Sequence, residues 1–166
     1  MMIKMIMKKL LSIGFLLAMF LSVSAKELKL YVDSDELNYG IIKKENYSRN
    51  PELVGDQHLR NKAYGLFQIR LPYLQDVNRI AGTNVRKVWG KNKLTIEDMK
   101  DEAKATWAVL VYLSHYGELY KRKTGNIPTI EVYARIHNGG PNGWKKSSTV
   151  KYGKVVVLYC ELKDDN

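Results

Sequence analysis

The stretch ARIHNGGPNGWKK, residues 134–146, decides how the rest of the chain is read. It begins as the end of a helix. Ile130, Tyr133, Ala134 and Ile136 supply apolar surface at helical spacing, which predicts a helix over 129–137. Gly139-Gly140-Pro141 then stops it, because glycine accepts the left-handed conformations of helix ends and proline cannot continue a helix. The polar pair His137 and Asn138 therefore sits where an apolar helix gives way to a glycine turn.

Working outward, the longest apolar period lies just upstream. Met99, Ala103, Trp107, Leu110 and Ser114 recur every three or four residues, as do Ala103, Thr106, Leu110 and Leu113. The spacing predicts a helix through the core, with Thr95 as N-cap and Glu97 and Asp98 in its first turn. It ends at Gly117 or, after a basic last turn, at Gly125. Pro72 opens another helix reaching about residue 80, with Gly82 as its stop. GTNVRKVWGKNK (82–93) reads as a loop, and NYSRNPELVGDQHLRNK (46–62) as a loop or small hairpin. The Val-rich run within 150–162 favours strand, but its helical surroundings favour a closing helix, which is our reading. KELKLYV (26–32) is a short strand or a tether. The resulting fold class is mainly α, with α+β character from a small loop or hairpin subregion, in one domain.

A helix over 34–46 puts Leu37, Ile41 and Ile42 on one face, and Glu45 falls at the end of that face. A carboxyl placed there is poorly solvated and meets the negative end of the helix dipole. Both effects oppose ionisation and raise its pKa. Asp56, after Gly55 in a polar loop, is either a well-solvated partner or a plain turn residue. Two carboxyls in such unlike surroundings suit a reaction that needs one proton donor and one fixed charge.

The N-terminus opens MMIKMIMKK, continues into LLSIGFLLAMFL and reaches Ser22-Val23-Ser24-Ala25. Basic, apolar and small-residue segments in that order predict a signal peptide over 1–25, leaving 26–166 as the folded part. The apolar run is short for a spanning helix, which needs about 20 residues, so no stable membrane anchor is expected after cleavage. The protein is then secreted or periplasmic. The full chain carries +10, and removing Lys4, Lys8 and Lys9 leaves 24 basic against 17 acidic residues. Such a surface favours anionic polymers. No zinc-finger spacing or RNA-binding motif points to nucleic acid. Cys160 is the sole cysteine, so no internal disulfide is possible, and its apolar neighbours predict a buried thiol. His58, His115 and His137 show no metal-ligand spacing.

Three stretches taken together carry a resemblance: ENYSRNPELVGD (45–56), AYGLFQIRLPY (63–73) and YARIHNGGPNGWKK (133–146). The set resembles the lysozyme-like superfamily. It is especially similar to the invertebrate-type lysozymes and their bacterial relatives, and more loosely to lytic transglycosylase domains. The resemblance implies a glycosidase acting on the β-1,4 bond between N-acetylmuramic acid and N-acetylglucosamine of peptidoglycan. It implies Glu45 as general acid and Asp56 as nucleophile or charge stabiliser, with no metal or organic cofactor and a monomer as the working form. Gln68, His137 and Asn138 would line the cleft, bonding either sugar or backbone. Tyr64 and Tyr133 would stack on sugar rings, although Tyr133 fits the core equally well. Trp107 reads as core, and Trp144 as a sugar platform or lid. The family's glutamate is usually followed by Ser-Gly, whereas Asn46-Tyr47-Ser48 follows here, which leaves Glu36 and Glu52 as alternative equivalents. The rival reading is a non-catalytic wall-binding protein that keeps the fold.

Overall fold

A computed structural model describes residues 28–164, so the expected signal segment lies outside the described residues. Helix α1 (Ser34–Glu45) is followed by three two-residue strands, β1 (Val54–Gly55), β2 (Ala63–Tyr64) and β3 (Ile69–Arg70). Then come α2 (Leu71–Ala81), α3 (Asn84–Trp89), a 3-10 turn (Glu97–Lys100), α4 (Glu102–Thr124) and α5 (Ile130–Gly139). Two further 3-10 turns lead into α6 (Val150–Asp164). No described helix is long and apolar enough to cross a membrane.

The helices begin and end for identifiable reasons. Asp33 caps α1 by accepting from the Glu36 amide, and Thr129 caps α5 by accepting from Val132. Gly125, in the left-handed conformation, ends α4 at the later of its two expected stops. The closing segment is helical despite its valines. Val156 and Cys160, one turn apart, both point into the core.

The helical body packs α1 against α6, α6 against α5, and α2 against α4. Its core includes Leu37 and Ile41 from α1, Val109 and Leu113 from α4, and Tyr133 and Ile136 from α5, all fully buried. Full burial of one such aliphatic side chain stabilises by about 1.5–3 kcal/mol. The α1–α6 contact is unusually close at Gly40, where an added Cβ would lie 2.5 Å from the Cys160 sulfur and 2.9 Å from the Val156 carbonyl oxygen.

The strands form a small antiparallel sheet in the order β1-β2-β3, pairing Val54 with Tyr64 and Tyr64 with Ile69. Residues 28–32 have no regular structure and act as a tether. The Lys29 amide donates to the Ser114 hydroxyl, and the Tyr31 hydroxyl donates to Glu118 at 2.5 Å.

Two expectations are corrected. The segment 82–93 is not all loop, because it contains α3, anchored by buried Val85. Thr95 does not cap the long helix. Asp98 accepts from the Thr95 amide and hydroxyl, closing a separate 3-10 turn, and the chain is extended at Asp101 before α4 starts. Asp101 is the true cap, accepting from the Lys104 amide.

Candidate active site

A cleft of about 540 Å³ opens between the helical body and the small sheet. Glu45, Asp56, Gln68, His137 and Asn138 all line it, although they come from α1, the hairpin loop, the β2–β3 turn and α5. Glu45 is the last residue of α1. Its side chain is only 19% exposed, and burial raises its pKa above the usual carboxyl value. Tyr152, Lys44 and Arg70 pull in the opposite direction, and Asp56 adds to the rise. The buried Tyr152 hydroxyl faces this carboxyl without closing a hydrogen bond to it. Desolvation by burial is the largest of these effects, so the net shift is upward.

The chain after Glu45 is held by one side chain. Asn46 is buried. Its amide nitrogen donates to the Asn50 carbonyl at 2.6 Å, and its oxygen accepts from Ser48 at 3.0 Å and from the Asn50 amide at 3.1 Å. Asn46 thus ties off the turn that departs from the usual family sequence. Glu52 is exposed and pairs with Lys100 at 2.9 Å, and Glu36 sits in the first turn of α1, about two and a half turns from the cleft end. Neither lines the cleft.

Asp56 is ion-paired with Arg70, whose other guanidinium nitrogen donates to the Asn61 carbonyl at 2.5 Å. Arg70 therefore staples the hairpin loop to β3 and sets the direction of the Asp56 carboxylate. Asp56 and Gln68 both adopt positive φ, 50° and 48°. For a residue such as Gln68 this strain costs on the order of 1 kcal/mol or more and persists only where surroundings enforce it. The Gln68 amide nitrogen donates to the Gly65 carbonyl at 2.8 Å and the Leu53 carbonyl at 3.3 Å, so it ties backbone on both sides of the cleft wall. Its oxygen fills the space a Cβ on Gly55 would need, so any larger residue there would displace the Gln68 side chain.

His137 is buried against the Phe67 carbonyl, with Nε2 3.1 Å from that oxygen and 4.0 Å from Glu45. Burial pushes its pKa down to about 4, so at neutral pH it is an uncharged wall of the cleft and no ionic partner for Glu45. Asn138 is exposed on the rim.

Tyr133 is corrected. It is fully buried in the core, packed against Gly117, and its hydroxyl accepts from the Tyr31 amide at 3.3 Å, so no sugar reaches it. Tyr64 is half-buried in β2, packed against the core, and is not among the cleft-lining residues. Trp144 packs edge-on against Tyr120, outside the cleft, and Trp107 packs against the core as expected. Sequence reading missed Tyr73, Asp76, Arg70 and Tyr152. Asp76 lines the cleft and accepts from the Tyr116 hydroxyl at 2.7 Å and from Arg79 at 2.8 Å. The PYLQD spacing, which puts Tyr73 and Asp76 one turn apart on α2, was the one signal available for this pair.

This architecture, a helical body and small sheet flanking a cleft with a desolvated carboxyl at a helix end, places the chain in the lysozyme-like superfamily. Within that class it is similar to invertebrate-type lysozymes. It is 34% identical over 92 residues to invertebrate-type lysozyme 6 of Caenorhabditis elegans, spanning 53% of this chain and 60% of that protein. It is 32% identical over 99 residues to invertebrate-type lysozyme 3 of the same organism, spanning 58% and 66%. The chain thus matches less than two thirds of these relatives' length. In structure it resembles Tapes japonica lysozyme with a TM-score of 0.56 and 26% identity, covering 73% of this chain and 85% of that one. A chain in the crystal structure of Aeromonas hydrophila PliI in complex with Meretrix lusoria lysozyme matches with a TM-score of 0.58 and 25% identity, covering 77% and 90%. No family model matches the chain.

Proposed function

We propose that the protein is an exported glycosidase that cuts the β-1,4 bond between N-acetylmuramic acid and N-acetylglucosamine in peptidoglycan, with Glu45 as its general acid. The observation that carries this reading is the desolvated Glu45 carboxyl, its pKa raised, at the wall of an open cleft of about 540 Å³ that Asp56 also lines. Protonated Glu45 gives its proton to the glycosidic oxygen as the C–O bond breaks, and positive charge develops at the anomeric carbon. Asp56, oriented by Arg70, supplies negative charge on the hairpin side, as nucleophile or as stabiliser. Gln68 and His137 hold the walls through backbone contacts, and Asn138 offers a rim contact to the glycan. The basic surface favours retention on an anionic wall.

The test is clearing of purified peptidoglycan by the chain from residue 26 onward, with mass spectrometry of the products. Glu45→Gln is expected to lose about 10²–10⁴ of the rate, the range supplied by a positioned acid. Reducing-end muropeptides identify hydrolysis, and anhydro-sugar ends identify transglycosylation. Equal clearing by wild type and variant removes Glu45 from the mechanism, and no clearing by wild type favours a wall-binding protein instead.

A further inference from the structure

The proton on His137 is assigned by its neighbours. The Phe67 carbonyl oxygen can only accept, so the Nε2 atom 3.1 Å from it carries hydrogen. A neutral imidazole has one N–H, and Nδ1 therefore presents its lone pair. The Tyr73 hydroxyl lies 3.4 Å from Nδ1 and must be the donor in that contact. Tyr73 itself is held by stacking on Tyr112 from α4, with ring centroids 3.7 Å apart.

The other neutral tautomer would do harm here. With hydrogen on Nδ1, the Nε2 lone pair would face the Phe67 carbonyl oxygen and lie 4.0 Å from the Glu45 carboxyl. There it would be a base competing for the proton that Glu45 is proposed to deliver. A doubly protonated ring would instead be an ionic partner for Glu45 and favour the carboxylate.

We propose that Tyr73 is a positioning residue that locks His137 in the Nε2–H tautomer, aims that proton at the Phe67 carbonyl, and so leaves the Glu45 proton to the substrate. This rests on the reading of Glu45 as the acid. The groups facing His137 are Tyr73 from α2, the Phe67 carbonyl and Glu45 from α1. Those facing Glu45 are Lys44 beside it, Asp56 and Arg70 from the sheet side, Tyr152 from α6 and His137 from α5. The burial that keeps His137 neutral acts in the same direction as the hydroxyl. A hydrogen bond to the lone pair also favours the uncharged ring.

The experiment is nitrogen NMR of ¹⁵N-histidine-labelled protein, read beside the pH profile of peptidoglycan clearing, for wild type and Tyr73→Phe. The phenylalanine ring preserves the stack on Tyr112, and a thermal melt checks that the fold is kept. Wild type is expected to show His137 as a single neutral tautomer with hydrogen on Nε2. In Tyr73→Phe the tautomers mix or the ring titrates at higher pH, and the alkaline limb of activity moves down by about one unit. Hydrogen on Nδ1 in wild type overturns the proposal, as does a folded Tyr73→Phe protein with unchanged tautomer and unchanged limb. Undiminished clearing by Glu45→Gln overturns the acid reading, and with it the link to catalysis, whereas the tautomer is read independently of any activity.

Discussion

The two sides of the cleft are built by different physics. The helical body is held by many interchangeable apolar contacts, with Leu37, Leu113 and Ile136 all fully buried. The sheet side, residues 46–70, has strands of only two residues; Leu66, Phe67 and Ile69 anchor it in the core, while its loops and turns are shaped by polar side chains, among them Asn46, Gln68 and Arg70. It also contains all three non-glycine residues with positive φ among the described residues, Arg49, Asp56 and Gln68. A body made of burial tolerates exchange of like for like. A loop shaped by single hydrogen bonds sets atomic positions but has little redundancy. Glu45 ends the first kind of structure and faces the second.

That contrast can be broken in graded steps. The largest loss of stability is expected from Leu113→Ala in the body, about 2–5 kcal/mol, read by urea unfolding. The clearing rate per folded molecule should change little.

His137 joins the two sides, since it belongs to α5 and bonds the Phe67 carbonyl. Its folded pKa, about 4, lies below its ordinary 6.5. Between those values the unfolded chain takes up a proton that the folded chain does not, so stability falls as pH drops from 6.5 to about 4. The size is on the order of 3 kcal/mol. Glu45 has the opposite sign, because its raised pKa means that stability is lost as pH rises through the folded value. Unfolding curves at pH 7 and 4.5 should therefore differ less for His137→Asn than for wild type. An equal difference would mean that the histidine is not buried neutral.

On the sheet side, Asn46→Ala removes the part-buried hydrogen bonds that tie this side chain to the Asn50 backbone and should cost about 0.5–1.5 kcal/mol per bond lost. Unlike Leu113→Ala, it should also lower clearing per folded molecule, because the turn beside the acid loosens. The smallest effect on stability is expected from Arg70→Ala. Its pairing with Asp56 is exposed and worth about 0–1 kcal/mol. Activity should nonetheless fall, since Asp56 loses its orientation. A variant with unchanged activity would take Asp56 out of the reaction.

Legibility in the sequence follows the same division. Helices α1, α4 and α5 show in their apolar periods and α2 in its Pro72 start and Gly82 stop, and Glu45 stands at the end of one such period. Helix α3 escaped because six residues offer less than two turns of pattern, and Val85 is its one buried residue. The start of α4 differs from the expectation because Thr95, Asp98 and Asp101 can each cap a helix, and the sequence does not show which of them does: Asp98 turns back onto Thr95 and Asp101 caps α4. Tyr133 was placed on the correct helix, but a periodic pattern does not say whether an aromatic meets the cleft or the core. Tyr73, Arg70 and Tyr152 went unseen because their meaning lies in partners far along the chain. Tyr73 meets a residue 64 positions away, and Tyr152 faces the carboxyl of Glu45, which lies far from it along the chain but on the neighbouring helix.

The tight seam at Gly40 has a practical consequence. Cys160 sits inside that seam, its thiol donating to the Glu36 carbonyl at 3.3 Å. A thiol-reactive reagent can reach it only when the two helices part, and those helices carry Glu45 and Tyr152. The rate of labelling at the sole cysteine thus reports how often the α1–α6 seam behind the proposed acid opens, and it can be measured in the unaltered chain.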